Sequence, residues 1–358
     1  MISSTNAMPH RCFNNPAPPS GGASGEIPYG NSYPHPADKD QCPPHMKPMR
    51  KRHASVETFL APVVFMIMHY AILTVTVVLR FTSYLREYYA VRDGMNYGDL
   101  LRDLRSRDAI SELIAKSDVS YYASFYTMLI VIPVYLAYLY FRKRRSSSIL
   151  LTQRVSGIQV LLALIIVFAA MGLTQLWMIG IQEISQSWPW LLKKFQSYLD
   201  AVSSFEISTS PLLFRILVIA ILVPIGEELL FRGIVQGEMR RAFGSTVAVI
   251  VTALLFAIFH LDVIQSSYVL IAGLVISITY ELTEQIAIPA LMHMVFNFIG
   301  SGFLSKLFNT GETADQIILY VMIGFILPGI AALFFLRRIQ KKKRASEPGT
   351  APPIAKGW

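Results

Sequence analysis

Residues 211–232 read PLLFRILVIAILVPIGEELLFR, an apolar run that ends in two adjacent carboxylates, Glu227 and Glu228, followed by Arg232. Roughly 20 mainly apolar helical residues cross about 30 Å of hydrocarbon, and the span read here, Pro211 to about Phe231, is long enough. Seven further runs lie around it: Phe59 to Leu79, Tyr121 to Phe141, Ile158 to Ile181, Ser245 to Leu261, Val263 to Tyr280, Ile286 to Leu304 and Ile317 to Leu336. The runs at 245–261 and 263–280 are short and closely joined, so the count is seven or eight. No strand alternation competes with them, and hydrocarbon admits only helices and closed barrels. The expected fold is all-α, a polytopic integral membrane protein of about eight transmembrane helices.

Composition agrees. Of 358 residues, 53% are hydrophobic and 15% charged, against about 25% charged in a soluble domain. A net charge of +9 in a soluble chain would raise nucleic acid as a partner. Here the Lys and Arg residues flank the apolar runs, where they set orientation, so the expected partner is the lipid bilayer and not nucleic acid. Lys47, Arg50, Lys51 and Arg52 precede the first run, Arg142 to Arg145 follow the second, Arg240 and Arg241 follow the fourth, and RRIQKKKR follows the last. With eight spans these fall on one side, which makes both termini cytoplasmic.

Residues 1–57 form a leader rich in Pro, Gly and Ser, with too few aliphatic side chains to offset the entropy of ordering. Disorder is expected there, and Cys12 and Cys42 within it have no metal-ligand spacing. Met1 to Thr58 holds no signal-peptide core, so the first run reads as an uncleaved anchor. Met46 or Met49, the latter opening MRKRH, is an alternative natural start. Residues 58–209 carry the first three spans, with a charged helical excursion at 80–120 whose seven basic and seven acidic residues interleave. SWPWLLKKFQSYL at 187–199 reads as an interfacial or an ordinary loop helix. Residues 210–305 hold the polar-bearing helices, 306–338 the last span and 339–358 a basic cytoplasmic tail.

An ionisable side chain inside a span is costly and is a functional hypothesis by default. They concentrate in three places: PIGEELLFRG with Glu227, Glu228 and Arg232, LLFAIFH ending in His260, and IPALMHMVFN with His293 and Asn297. Glu228 and Arg232 are spaced i,i+4 and read as an ion pair, while Glu227 points about 100° away toward another partner. Pro224 and Gly226 are expected to break the helix just before the glutamates and open a polar cavity. His293 and Asn297 also share a face, where two donors suit an oxyanion hole. The turn RRAFGS near Phe243 and Gly244 leaves arms of about 16 residues, or roughly 24 Å, which bring Glu227 and His260 to similar depth. His293 sits nearer the opposite end of its run, and a short or re-entrant segment at 263–280 would reconcile the depths. Asp262 reads as a helix-end marker, Phe256 as packing, and Glu281 and Glu284 as solvated turn residues.

EELLFR, FAIFH and HMVFN also match the EExxxR, FxxxH and HxxxN motifs of the CPBP intramembrane endopeptidases, the family related to CAAX proteases. The chain resembles that family over residues 210–300. The resemblance implies an eight-helix intramembrane peptidase fold with Glu227, Glu228, His260, His293 and Asn297 in catalytic positions, supported by Arg232 and Phe256. Glu227 is then the general base for water, His260 holds that water, and His293 with Asn297 meets the oxyanion. No cofactor is favoured, and zinc held by Glu227, His260 and His293 is the alternative. The expected substrate is a peptide or protein at the membrane, of CAAX type or bacteriocin-like. A proton-coupled transporter and a non-catalytic immunity or scaffold protein are the competing classes.

Overall fold

The computed structural model describes residues 54–90, 98, 102, 105–145, 148–204 and 208–346. The leader with Cys12 and Cys42, most of 91–104 and the tail beyond 346 lie outside the described residues. Those described are helical: α1 (Val56–Ala90), α2 (Arg107–Lys116), α3 (Val119–Arg145), α4 (Gly157–Ser185), α5 (Pro189–Ser204), α6 (212–243), α7 (Ser245–Ile258), α8 (Val263–Thr283), α9 (Ala287–Gly300), α10 (Phe303–Phe308), α11 (Glu312–Gly324) and α12 (Ile326–Ser346). The one extended pairing among the described residues is an isolated bridge between Thr152 and Gln285.

The protein is an all-α integral membrane protein, but its spans are less uniform than eight equal runs. Helices α1, α3, α4 and α8 are long and apolar enough to cross a bilayer, and α11 with α12 makes one further span bent by 42°. α7 and α9 have 14 residues each, about 21 Å at 1.5 Å per residue, which is short of 30 Å of hydrocarbon. The stretch at 263–280, expected to be short, is instead the full-length α8, and the short elements are α7 and α9. α8 starts directly after His260 because Leu261 takes a left-handed turn (φ 57°) and Asp262 caps the new helix, accepting from Gln265 N–H at 2.8 Å.

Lipid tails are as apolar as Leu, so helices here are held by close packing and polar contacts. One core joins α3, α6 and α7 through Met128, Val131, Tyr135, Leu230, Phe231 and Phe256. A second joins α4, α8, α9 and α12 through Ala163, Ile166, Ile276, Met292 and Leu336. Gly226 lets α6 pass so near α3 that any Cβ there would meet Met128 Sδ.

Buried ion pairs tie the helix ends. Glu238 on α6, with no exposed side-chain surface, binds Arg142 of α3 at 2.7 Å and Arg241 at 2.9 Å. Arg241 reaches on to Ser55 and Thr58 at the start of α1. Glu281 binds Arg240 at 2.7 Å and is nearly buried, and Glu284 binds Arg344 of α12 at 2.8 Å. These two glutamates are therefore clamps between helix ends, which corrects the expectation of solvated turn residues. In α5, Leu191 and Phe195 are buried while Trp190 and Leu199 stay exposed, as does Trp188 just before it, the division of an amphipathic helix.

Candidate active site

The glutamates stand on a helix that bulges instead of breaking. α6 runs from 212 to 243 and contains two π-helical segments, Ile216–Leu222 and Leu229–Val235, with α-helical Val223–Glu228 between them. Proline has no N–H to donate, and the N–H of Val223 bonds back to Val218 O. The Ile219 carbonyl is taken up by a side chain from another helix, Asn297 Nδ2 of α9, at 3.0 Å. Pro224 and Gly226 thus bend the hydrogen-bond register without opening the helix, contrary to the expected break. π-bulges of this kind recur at functional sites.

Glu228 is the centre of the polar cluster. Its Oε1 accepts from Arg232 Nη1 at 2.8 Å and lies 2.8 Å from His293 Nδ1. All three side chains are buried, with Glu228 and Arg232 at 1% and 0% exposure. Arg232 also donates to Gly273 O of α8 at 3.1 Å and lies over the Phe256 ring, 4.6 Å from its centroid. A Cβ on Gly273 would stand 2.9 Å from Phe256 Cδ1, so the glycine makes room for the ring. The Glu228 carboxylate, already facing the guanidinium, accepts from Nδ1–H of His293, and Nε2 of the neutral imidazole is left as an acceptor. Nε2 points to Glu227 Oε2 at 3.7 Å, beyond a direct hydrogen bond and within the span of a bridging water.

His260 approaches from the end of α7. The N–H groups of Phe259, His260 and Leu261 bond to the carbonyls of Leu255, Ala257 and Ile258, which skips Phe256. His260 Nδ1 takes that carbonyl at 2.8 Å. A carbonyl only accepts, so Nδ1 carries the hydrogen and Nε2 is again free. The rings of His260 and His293 both meet Phe256 edge-on, at centroid distances of 5.0 and 5.7 Å.

Residues 209–299 match the family described as Type II CAAX prenyl endopeptidase Rce1-like. Over this segment the chain is similar to that family. No curated protein and no solved structure matches the chain. The Rce1-like segment spans α6 to α9 and contains every residue expected at the site, and the family is one of membrane proteases acting on peptides.

Within it, Glu227, Glu228, Arg232, Phe256 and His293 come together directly, and His260 joins them across the Phe256 ring. Asn297 is turned to Ile219 O with one of its amide hydrogens. The pair His293 and Asn297 is therefore not two free donors on one face, because His293 gives its Nδ1 hydrogen to Glu228. Among the described residues no three His, Cys, Asp or Glu side chains converge as a metal-binding group. The zinc set Glu227, His260 and His293 does not fit as placed, and no step is routed through a metal.

The sequence reading passed over α1. His69, 3% exposed in the middle of that helix, holds Tyr135 of α3 through Nδ1 at 3.0 Å and meets Phe259 edge-on at 5.2 Å. A lone imidazole in an apolar span was the available signal. Gly273 carried no such signal, because only the packed neighbour reveals why a side chain is excluded.

Proposed function

We propose that this protein is an intramembrane endopeptidase that hydrolyses a peptide bond with water activated by Glu227. The observation that carries the reading is the sharing of labour between adjacent carboxylates. Oε1 of Glu228 is occupied by both Arg232 and His293, whereas Glu227 faces the open Nε2 of His293 at 3.7 Å. A water between Glu227 and His293 Nε2 donates one hydrogen to each. As its oxygen bonds to the substrate carbonyl carbon, Glu227 takes the proton. The oxyanion is met by the second amide hydrogen of Asn297. Collapse breaks the C–N bond, and the proton leaves Glu227 for the departing nitrogen, which His260 Nε2 hydrogen-bonds. In this scheme His293 orients the water and is not an oxyanion donor.

The substrate class is a CAAX-type or other peptide presented at the membrane, and both termini of the enzyme face the cytoplasm. The test is cleavage of a reporter peptide by the purified full-length protein, comparing wild type with Glu227→Gln and His260→Ala, each with and without a chelator. Loss of cleavage in both variants is expected, since removing a general base costs typically ~10²–10⁴-fold. Equal cutting by Glu227→Gln would end the assignment of Glu227 as the base, and absence of cutting by the wild type would put the transporter class in its place. Cleavage that a chelator abolishes and zinc restores would overturn the metal-free scheme.

A further inference from the structure

The link between α2 and α3 buries an acidic group that the peptidase reading leaves unused. Asp118 is held there in the left-handed region (φ 50°) and is 6% exposed, a conformation that Asp tolerates better than most residues. One carboxylate oxygen, Oδ2, takes every hydrogen bond: the Thr209 N–H at 3.2 Å, the Thr209 hydroxyl at 2.9 Å and the Ser210 hydroxyl at 2.8 Å. These donors stand just before Pro211, so the carboxylate clasps the entry to α6, the helix that bears Glu227 and Glu228. The other oxygen, Oδ1, is buried and has no hydrogen-bond partner among the described residues.

A buried charge is paired with an opposite one or coordinates a metal. None of the ion pairs among the described residues includes Asp118. The basic groups around it are committed elsewhere: Lys116 to Glu112 at 2.6 Å, Arg80 to the Ser117 carbonyl and the Tyr122 ring, and Arg215 to Tyr121. Beside Asp118 lies a cavity of about 20 Å³, room for one water-sized species. Ser120, Tyr121 and Ser208 line it, and Ile114 and Ala115 close it from the last turn of α2, the end where unpaired carbonyls give a helix its partial negative charge. No imidazole or thiol lines the cavity. The donor set is one of oxygens, which suits a hard cation and not zinc.

We propose that Asp118 Oδ1 binds a small hard cation of the Ca²⁺ type in this cavity, with the hydroxyls of Ser120 and Ser208 and water completing its shell. The ion fixes the start of α6 against the α2–α3 corner. A single carboxylate is a low charge count, which places the affinity at the weak end of Ca²⁺ sites, about 10⁻⁴–10⁻³ M. The site stands whether or not Glu227 is the base of a peptidase.

The experiment uses the purified full-length protein in detergent, freed of divalent ions with a chelator that is then removed. Tb³⁺ luminescence excited through tyrosine is titrated and then displaced with Ca²⁺ or Na⁺, and thermal melting is followed with the same two ions. The wild type is expected to give saturable luminescence that millimolar Ca²⁺ displaces, and to gain roughly 2–4 °C in melting midpoint at Ca²⁺ about tenfold above its dissociation constant. Asp118→Asn keeps an acceptor for Thr209 and Ser210 and turns an amide N–H to the cavity, so it is expected to lose both responses. Ser120→Ala removes one hydroxyl and should weaken the Ca²⁺ displacement severalfold; if Asp118→Asn does not fold, an unchanged displacement in Ser120→Ala overturns the site. A wild type whose luminescence and melting midpoint no Ca²⁺ moves overturns it as well, the cavity then holding water beside a protonated carboxyl. Displacement by Na⁺ in preference to Ca²⁺ overturns the class of ion, and equal responses in wild type and Asp118→Asn overturn the site, because the ions then bind elsewhere.

Discussion

Replacing Arg232 with Met tests the electrostatic frame of the site. The guanidinium and the Glu228 carboxylate are 0% and 1% exposed and 2.8 Å apart, so the figure for exposed pairs, about 0–1 kcal/mol, does not apply. Removing one partner of a buried pair costs about 3–5 kcal/mol, because the other charge is left uncompensated. The lost stacking on Phe256 adds about 1–2 kcal/mol and the Gly273 bond about 1 kcal/mol. Arg232→Met is therefore expected to lose about 5–8 kcal/mol at pH 7. The double variant Arg232→Met with Glu228→Gln leaves no stranded charge, and it should be more stable than Arg232→Met by about 2 kcal/mol or more at pH 7. Reversible unfolding of the purified protein in mixed micelles at pH 7, followed by tryptophan fluorescence, reads both variants against wild type. A loss below about 1 kcal/mol in Arg232→Met would refute the reasoning, since the pair would then behave as a solvated one.

Asn297→Ala strips the Ile219 carbonyl of its donor and is expected to destabilise by about 1–3 kcal/mol. Adding Pro224→Ala restores a backbone N–H on α6, and unfolding midpoints should show part of that loss recovered, whereas independent effects would simply add. Gly273→Ala places a Cβ 2.9 Å from Phe256, so melting should show a cost of about 1–3 kcal/mol. The same displacement of the ring that touches both imidazoles should lower kcat of the reporter reaction more than it raises KM.

What the sequence disclosed follows the range of the interactions. The apolar runs became helices because length and hydropathy are local properties, and Glu228 with Arg232 forms the pair its i,i+4 spacing implies. The end of α6 was set too early, at about Phe231. The charged stretch to Phe243 looks fit for water, and only Arg142 and Glu281, from distant parts of the chain, show how it is neutralised indoors. The same limit holds inside the site. His293 and Asn297 share a helix face, but where their hydrogens go is decided by Glu228 and by the carbonyl that Pro224 leaves bare, both on another helix. His69 was legible as a costly residue in an apolar run, but its partner Tyr135 is 66 positions away.

The three motif spacings acquire a physical meaning in this arrangement. Arg232 offsets the burial of Glu228, His260 satisfies the carbonyl of Phe256 four residues earlier, and Asn297 fills the acceptor stranded by Pro224. Each repair uses one polar atom and leaves a second one unspent: Glu227 beside Glu228, Nε2 on each imidazole, and the other hydrogen of the Asn297 amide. Groups fixed in this way lose little freedom when a substrate arrives, which is the condition for preorganised stabilisation of developing charge. It also makes stability and chemistry inseparable at these positions. Variants that keep the repairing atom and remove only the spare one, such as Glu227→Gln, are therefore the ones whose kinetics report on mechanism, whereas alanine at His293 or Asn297 mixes a lost reaction with a damaged helix.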